Sequence, residues 1–405
     1  FDVALEEIFP TLAAGATLVL RDQQSITSIR DFFDYVEDKR ISVLNLPTAF
    51  WQTLVTHKHA RLWPLCLRLL VIGGEKASRT AHQRFRAEQS AHIRWLNGYG
   101  PTEATITSTI YDDAEQDHEA ALPIGRPIDG VSHFVLDAQQ RLMPPGAVGQ
   151  LYIGGAGLAE GYLDRPEATA KAFIPHPFLP SGRIYATGDL AFMTQRGNFV
   201  YVDRKDNQLK IRGFRVEPGE VEAQLQTLEG VADAVVVPSY GKEITLTAHL
   251  LIEDGRLDPE QIRAELAERL PSYMVPSRYQ QHESFPKTPS GKIDRVVLVK
   301  QLARERRNSR VSRRSTASFD SPLERTVTGV WREVLGSSTV DMTDDFFEVG
   351  GSSLLLLELF SEIERRLHRK PNPQAFLKQP TLANLIQLLG HFSAKHWASP
   401  IVRMA

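Results

Sequence analysis

The chain has a single cysteine, Cys66, in 405 residues. That excludes an internal disulfide framework and makes a reducing cytoplasm the default compartment. No secretory signal peptide is recognisable. No stretch approaches the ~20 apolar residues that a membrane-spanning helix needs; the leucine run 354–357 is four residues long and flanked by Ser353 and Glu358. Charge of one sign is not in excess either, with a formal net charge of -2. Internal repeats are lacking. The dense Arg block within 298–317 has no interleaved aromatic residues to stack on bases, so it reads as a solvated linker and not as a nucleic-acid or membrane contact.

What is present is organised globular sequence, enough for roughly two or three domains. The first residues, from Phe1, already form an amphipathic segment, so the chain reads as part of something longer. From 1 to about 110, short apolar runs (15–20, 41–46, 67–74) alternate with helical stretches (28–39, 78–89), the pattern of an α/β layer with a buried parallel sheet. From 121 to 205 short strands and turns dominate. Segment 206–297 mixes strands with a helix at 258–270, a small α+β unit. The last part is helical. Ser321-Pro322-Leu323-Glu324 is a capping box with proline at the first helical position, and Leu323, Val327, Val330, Trp331 and Val334 follow on one face. A second helix follows Gly350-Gly351, with Leu356, Phe360, Ile363 and Leu367 at helical spacing, and a third spans TLANLIQLLG. The expected domains are 1–205, 206–297, a linker 298–317, 318–392, and a tail 393–405.

Singly, the motifs are weak. GGAGLAEG (154–161) has glycines but neither P-loop spacing nor a following Lys-Ser/Thr, so a tight turn explains it. YGPTEATIT (99–107) is readable as a turn entering a helix with Thr102 as cap, YATGDL (185–190) as a strand end, and GKIDR (291–295) as a surface turn. Their order is more specific. NGYGPTE, GQLYIGGAGLAEGYL, IYATGDL, DRKDNQLKIRGFRVEPGEVE, LPSYMVP and PSGKIDR follow one another in one chain, and DDFFEVGGSSL (344–354) comes after them. This set resembles the core motifs of adenylate-forming enzymes, specifically the adenylation domains of nonribosomal peptide synthetases, followed by a peptidyl carrier signature. The likeness covers nearly the whole chain.

The resemblance implies a multidomain α/β and α+β protein: part of a large adenylation core with a β-rich subdomain, a small mobile C-terminal subdomain, and a helical-bundle carrier. It implies an amino-acid-adenylating ligase of antibiotic- or siderophore-type biosynthesis, using ATP, Mg²⁺ and 4'-phosphopantetheine. An amino-acid carboxylate attacks the α-phosphate of ATP, giving aminoacyl-AMP and pyrophosphate, and the acyl group then moves to the carrier's thiol. By the same resemblance Tyr99 lies against adenine, Thr102 contacts the α-phosphate, Glu103 ligates Mg²⁺ and Asp189 accepts from the ribose, with Tyr201 and Arg204 near the nucleotide. Lys292 reaches the substrate carboxylate and α-phosphate, a role suited to a compact, mobile charge. Asp206 sits at the hinge. Asp2 anchors the substrate α-ammonium, and Val3, Glu6, Asn45, Val71, Gly73, Gly98, Ile106 and Thr107 form the side-chain pocket. A buried carboxylate needs a cationic partner, so Glu6 points to ornithine, hydroxyornithine, lysine or diaminobutyrate, unless it faces solvent or another protein group.

Ser353 is the expected phosphopantetheine attachment site, at a helix start that favours the phosphodiester charge; Ser352 is its rival. Expected partners are the amino acid, a phosphopantetheinyl transferase and neighbouring condensation and release domains, with no nucleic acid or membrane. No Gly-x-Ser-x-Gly thioesterase motif is present, so release is expected elsewhere. The sequence departs from the family pattern in three places. The Ser/Thr/Gly-rich phosphate loop that precedes Phe-Asp is missing, so the chain alone is not expected to adenylate. Asp203 stands where a glycine usually precedes Arg204, and no Leu-Pro-x-Pro-like element follows the Gly-Lys motif. Two alternatives remain: a stand-alone acyl- or aryl-CoA ligase, and a non-catalytic scaffold.

Overall fold

A computed structural model describes residues 2–390, except 22–26, 58–61, 88–89, 116–120, 207, 212, 241–243, 253–257, 289–291, 313–320, 337–339 and 348, and except the side chains of 305–312 and 353. The tail expected at 393–405 lies outside the described residues. The chain divides into two compact units, one comprising Phe1–Ser25 and Asp31–Glu217, the other Ile26–Arg30 and Pro218–Ala405.

In the first unit the apolar runs become a five-stranded sheet. Val43–Pro47, Leu69–Gly73 and Arg94–Tyr99 pair in parallel, and Thr109–Asp112 and Arg126–Pro127 extend it antiparallel. Helices Thr48–Thr56 and Arg79–Ala87 supply Trp51, Leu54 and Phe85, all fully buried with Trp95, Leu70 and Ile72. Edge-to-face aromatic contacts, such as Trp63–Phe85 at 5.2 Å between centroids, lock this layer. The run 15–20, expected to behave like a strand, forms none: after helix Val3–Ala13 the chain is irregular and Leu20 is 79% exposed. Without a neighbouring strand to satisfy its backbone, an apolar run alone does not make a sheet.

A second, antiparallel sheet follows, ordered Phe199–Arg204, Arg183–Met193, Gly149–Gly155, Val131–Leu136, as the β-rich segment led one to expect. The first unit does not stop at 205. It continues through a hairpin, Leu209–Ile211 with Phe214–Val216, to Glu217. The reason is that the hairpin's side chains lodge in the first unit: Lys210 lies over the Tyr99 ring at 5.5 Å, and Arg215 pairs with Glu103.

The second unit contains two cores. In one, strands Val231–Tyr240, Ile244–Ile252 and Arg278–His282 form a sheet. Helix Arg295–Ser312 buries Leu298 and Leu302 against Val235, Val237 and Phe285. The segment read as linker from 298 thus begins as part of this small unit, because its first two turns carry core leucines. In the other core, helices Pro322–Leu335, Ser353–Leu367 and Leu382–Gly390 gather around Trp331, Phe346, Leu359 and Phe360. The Ser321/Glu324 capping box forms as expected. A short fourth helix, Pro373–Lys378, capped by Asn372, was not anticipated; it buries only Phe376 and so shows no periodicity.

Strand Val131–Leu136 carries His133, whose Nε2 lies 3.2 Å from Ser108 Oγ and whose ring packs on Phe199. Burial pushes its pKa down to about 3, so it is neutral in the folded chain while an unfolded His protonates below about 6.5. The unfolded state then binds the extra proton between those values, and stability falls as pH falls through that window. Going from pH 7 to pH 4 should cost about 3 kcal/mol through this residue alone. His133→Gln should flatten that part of the pH dependence of the urea midpoint; an unchanged slope would contradict the assignment.

Candidate active site

Helix Val3–Ala13 places Asp2, Val3 and Glu6 at three- and four-residue spacing, on one face. Asp2 occupies the cap position but makes no side-chain capping bond, which leaves its carboxylate to the cavity. Asn45, Val71, Gly73 and Gly98 come from the carboxyl-terminal halves of three adjacent parallel strands, where open α/β sheets bind ligands. Ile106 and Thr107 follow the short 3₁₀ turn Thr102–Ala104. Thr102 opens that turn, and no longer helix follows it; Pro101 is at the cap position. The loop is strained: Thr105 and Ile106 have φ of 58° and 71°, unusual for β-branched residues. It is packed against Gly100, where a Cβ would fall 2.0 Å from the Ile106 carbonyl oxygen.

These elements enclose a cavity of about 150 Å³ lined by Asp2, Val3, Glu6, Asn45, Val71, Gly73, Gly98, Ile106 and Thr107, together with Tyr99, Thr102, Asp189 and Arg204. All nine residues expected around the substrate therefore share one wall system with four expected around the nucleotide. Burial raises the Glu6 carboxyl above its ordinary range; bonds with Thr107 oppose this and the Asp2 charge adds to it.

At the end of the cavity expected to face the nucleotide, Asp189 is 3% exposed, receives the Tyr99 hydroxyl, and pairs with Arg204 at 2.6 Å. Arg204 is held on its other edge by Asp206, from Nε and Nη2, both at 2.7 Å. Gly188 keeps room for this, since a Cβ there would lie 2.6 Å from Arg204 Nη2. The expected hinge residue Asp206 thus clamps a guanidinium that spans two carboxylates. Burial would raise the Asp206 carboxyl, and Arg204 outweighs it, holding it below the usual value.

Glu103 does not line the cavity but stands beside Thr102, buried. Its Oε1 accepts from the Tyr162 hydroxyl, and Arg215 Nη1 lies 2.8 and 2.9 Å from its two oxygens. Burial alone would raise its carboxyl; the Tyr162 hydroxyl and the Arg215 charge hold it below the ordinary range. Tyr201 is not at the cavity either: it packs on the cluster of Tyr99, Ile124 and Phe199. Residues not singled out from sequence also line the wall, notably Tyr185, Thr187, Gln208, Lys210 and Arg215. They lie inside the IYATGDL and DNQLKIRGFRVE motifs, which was the available signal. Burial lowers the Lys210 ammonium's pKa, with the Asp189 charge acting in the opposite sense.

In the second unit, Lys292 is exposed, and its carbonyl accepts from the Thr288 amide. Ser353 is the first residue of helix Ser353–Leu367; its side chain lies outside the described residues. Its rival Ser352 is fully buried and caps that helix, accepting from the Leu355 amide at 3.1 Å. Gly351 is tightly enclosed: a Cβ would lie 2.4 Å from Phe346.

Three family models match: AMP-binding enzyme over residues 1–163, AMP-binding enzyme C-terminal domain over 220–292, and phosphopantetheine attachment site over 325–389. Tyrocidine synthase 2 of Brevibacillus parabrevis is 34% identical over 95% of the chain and 11% of its own length. Bacitracin synthase 1 of Bacillus licheniformis is 36% identical over 95% of the chain and 7% of its own length. The chain therefore spans about a tenth of the curated relatives it matches. Among solved structures, holo-PA1221, described as an NRPS protein containing adenylation and PCP domains, superposes with a TM-score of 0.77 at 26% identity, over 96% of this chain and 64% of that one. The amide bond synthetase McbA from Marinactinospora thermotolerans gives 0.63 at 26% identity, over 72% and 57%. No helix among the described residues is long and apolar enough to cross a membrane. The matched domains bring ATP, Mg²⁺ and phosphopantetheine as cofactors.

The tightness at Gly100 is testable. Gly100→Ala should force strand end and loop apart and cost about 2 kcal/mol or more. Gly98→Ala, whose Cβ would meet nothing closer than 3.6 Å, should fold normally while narrowing the cavity. Thermal unfolding of both variants checks this; equal Tm values would contradict it. The chain belongs to the nonribosomal peptide synthetase family and carries adenylation-domain sequence followed by a carrier domain.

Proposed function

We propose that, within its parent synthetase, this chain activates an amino acid with a cationic side chain as aminoacyl-AMP and loads it on a phosphopantetheine arm at Ser353. The observation that carries this reading is the shared cavity: Asp2 and Glu6 line it together with the apolar Val3, Val71 and Ile106, while its third carboxylate, Asp189, is already paired with Arg204. A side-chain ammonium on Glu6 would relieve its partly desolvated charge, and Asp2 would receive the α-ammonium. Gly73 and Gly98 leave room for a chain of ornithine or lysine length. The carrier, the match to an attachment-site family and Asp2 together argue against a stand-alone acyl- or aryl-CoA ligase, and the intact cavity against a scaffold alone.

In this reading Tyr99 supports the adenine, Asp189 accepts from the ribose hydroxyls while Arg204 holds its carboxylate in place, and Thr102 donates to the α-phosphate. Lys292 neutralises the charge that builds up as the carboxylate attacks, and withdraws with the small subdomain about Asp206 before transfer to the carrier. Glu103 suits Mg²⁺, which takes one or two carboxylates plus phosphate and water oxygens. No group of three or more His, Cys, Asp or Glu that could form an all-protein cage is found among the described residues. When bound, the ion would neutralise the phosphate oxygens.

Pyrophosphate exchange with the parent synthetase should favour ornithine or lysine over norleucine or methionine by at least about 100-fold in specificity constant. Glu6→Gln should remove most of that preference. A neutral or acidic amino acid winning the panel would refute the side-chain assignment. For the arm, incubation with a promiscuous phosphopantetheinyl transferase and coenzyme A should add one group to the chain, seen by mass spectrometry. Modification persisting in Ser353→Ala would move the site to Ser352, against its burial.

A further inference from the structure

Glu103 and Arg215 are an unequal pair. The glutamate side chain is 8% exposed and the arginine 41%. Released from each other, the guanidinium is free to hydrate, whereas the carboxylate remains desolvated and uncompensated. The carboxylate's other bonds, from the Tyr162 hydroxyl and from the Glu103 backbone amide, are with neutral groups. Its charge therefore requires a cation at all times, and the one it has is carried by a two-stranded hairpin.

The same Arg215 nitrogen approaches both carboxylate oxygens, at 2.8 and 2.9 Å. A magnesium ion bonding either oxygen at about 2.1 Å, with its water and phosphate ligands, needs that same edge, and two cations there would repel each other. The hairpin is held elsewhere by separable contacts: the Gly213 amide donates to Glu75, and Lys210 lies over the Tyr99 ring. A stronger cation on Glu103 would thus remove one anchor of the hairpin without unfolding the sheet beneath.

Resting on the assignment of Glu103 as the metal carboxylate, we propose that Arg215 and the divalent cation are alternative occupants of Glu103. The hairpin 209–216 docks in the arrangement seen here only when the metal is absent. Arg215 is then a positioning residue: it covers the charge left when the metal departs, and so links that departure to hairpin docking. Competition of this kind is reciprocal, so the metal must loosen the hairpin by as much as the hairpin weakens the metal.

The test uses the full chain, Mn²⁺ and α,β-methylene-ATP, with bound Mn²⁺ read by electron paramagnetic resonance and amide exchange read at 209–216. Arg215→Gln should bind Mn²⁺ about tenfold more tightly than wild type or more, and Arg215→Lys should stay near wild type. The gain should vanish in Glu103→Gln/Arg215→Gln. In the wild type, Mn²⁺ should speed exchange in the hairpin. Equal affinity in wild type and Arg215→Gln, both lost with Glu103→Gln, would overturn the competition while leaving Glu103 as the ligand. Binding indifferent to Glu103→Gln, or absent from every variant, would overturn the metal assignment and the competition with it.

Discussion

Buried carboxylates that cannot stand alone organise this protein's cavity. Asp189 and Glu103 are each nearly inaccessible, and each is matched by an arginine from later in the chain, Arg204 and Arg215. An isolated buried carboxylate is costly, while a paired and hydrogen-bonded one is tolerated. Satisfying the first draws the edge strand Phe199–Arg204 into register with Arg183–Met193; satisfying the second draws the hairpin onto the cavity. Asp206 extends the first pairing into a chain of charges, so the segment leaving the second sheet is oriented by the same guanidinium that steadies Asp189.

The two ends of the cavity differ in how they manage charge. Around Asp189 and the neighbouring Glu103 the acids are matched by arginines, and the protein supplies complete pairs. At the helix end Asp2 and Glu6 share a space with apolar side chains and glycines, and the Glu6 carboxyl is raised by burial. The carrier core follows other physics: Trp331, Phe346 and Phe376 meet edge to face, and Gly351 packs directly against Phe346, which sets the start of the helix that Ser353 opens.

Much of this was legible in the sequence because local signals and motif order agree. The apolar runs 41–46 and 67–74 located two of the three parallel strands, the third, Arg94–Tyr99, having been missed, and the capping box located the first carrier helix. The motif resemblance named nine cavity-lining residues that are up to about a hundred positions apart. Where local pattern alone was the guide, it failed for physical reasons. The run 15–20 has the composition of a strand but no partner, and Pro373–Lys378 is too short to show a period. The segment from 298 is basic and polar beyond its first turns, yet Leu298 and Leu302 belong to a core.

The order of chemistry-bearing residues and the family were determined by sequence alone, since motif order is written along the chain, and the family resemblance added nine of the residues that line the cavity. Tertiary structure decided which acids are matched and by what. That Arg215 belongs to Glu103, across 112 positions, that Tyr201 packs on the core cluster of Tyr99 and Phe199, and that Ser352 is consumed as a helix cap all depend on packing. Burial and proximity arise only when distant segments meet, and a charge's partner is chosen by desolvation, which no single segment carries.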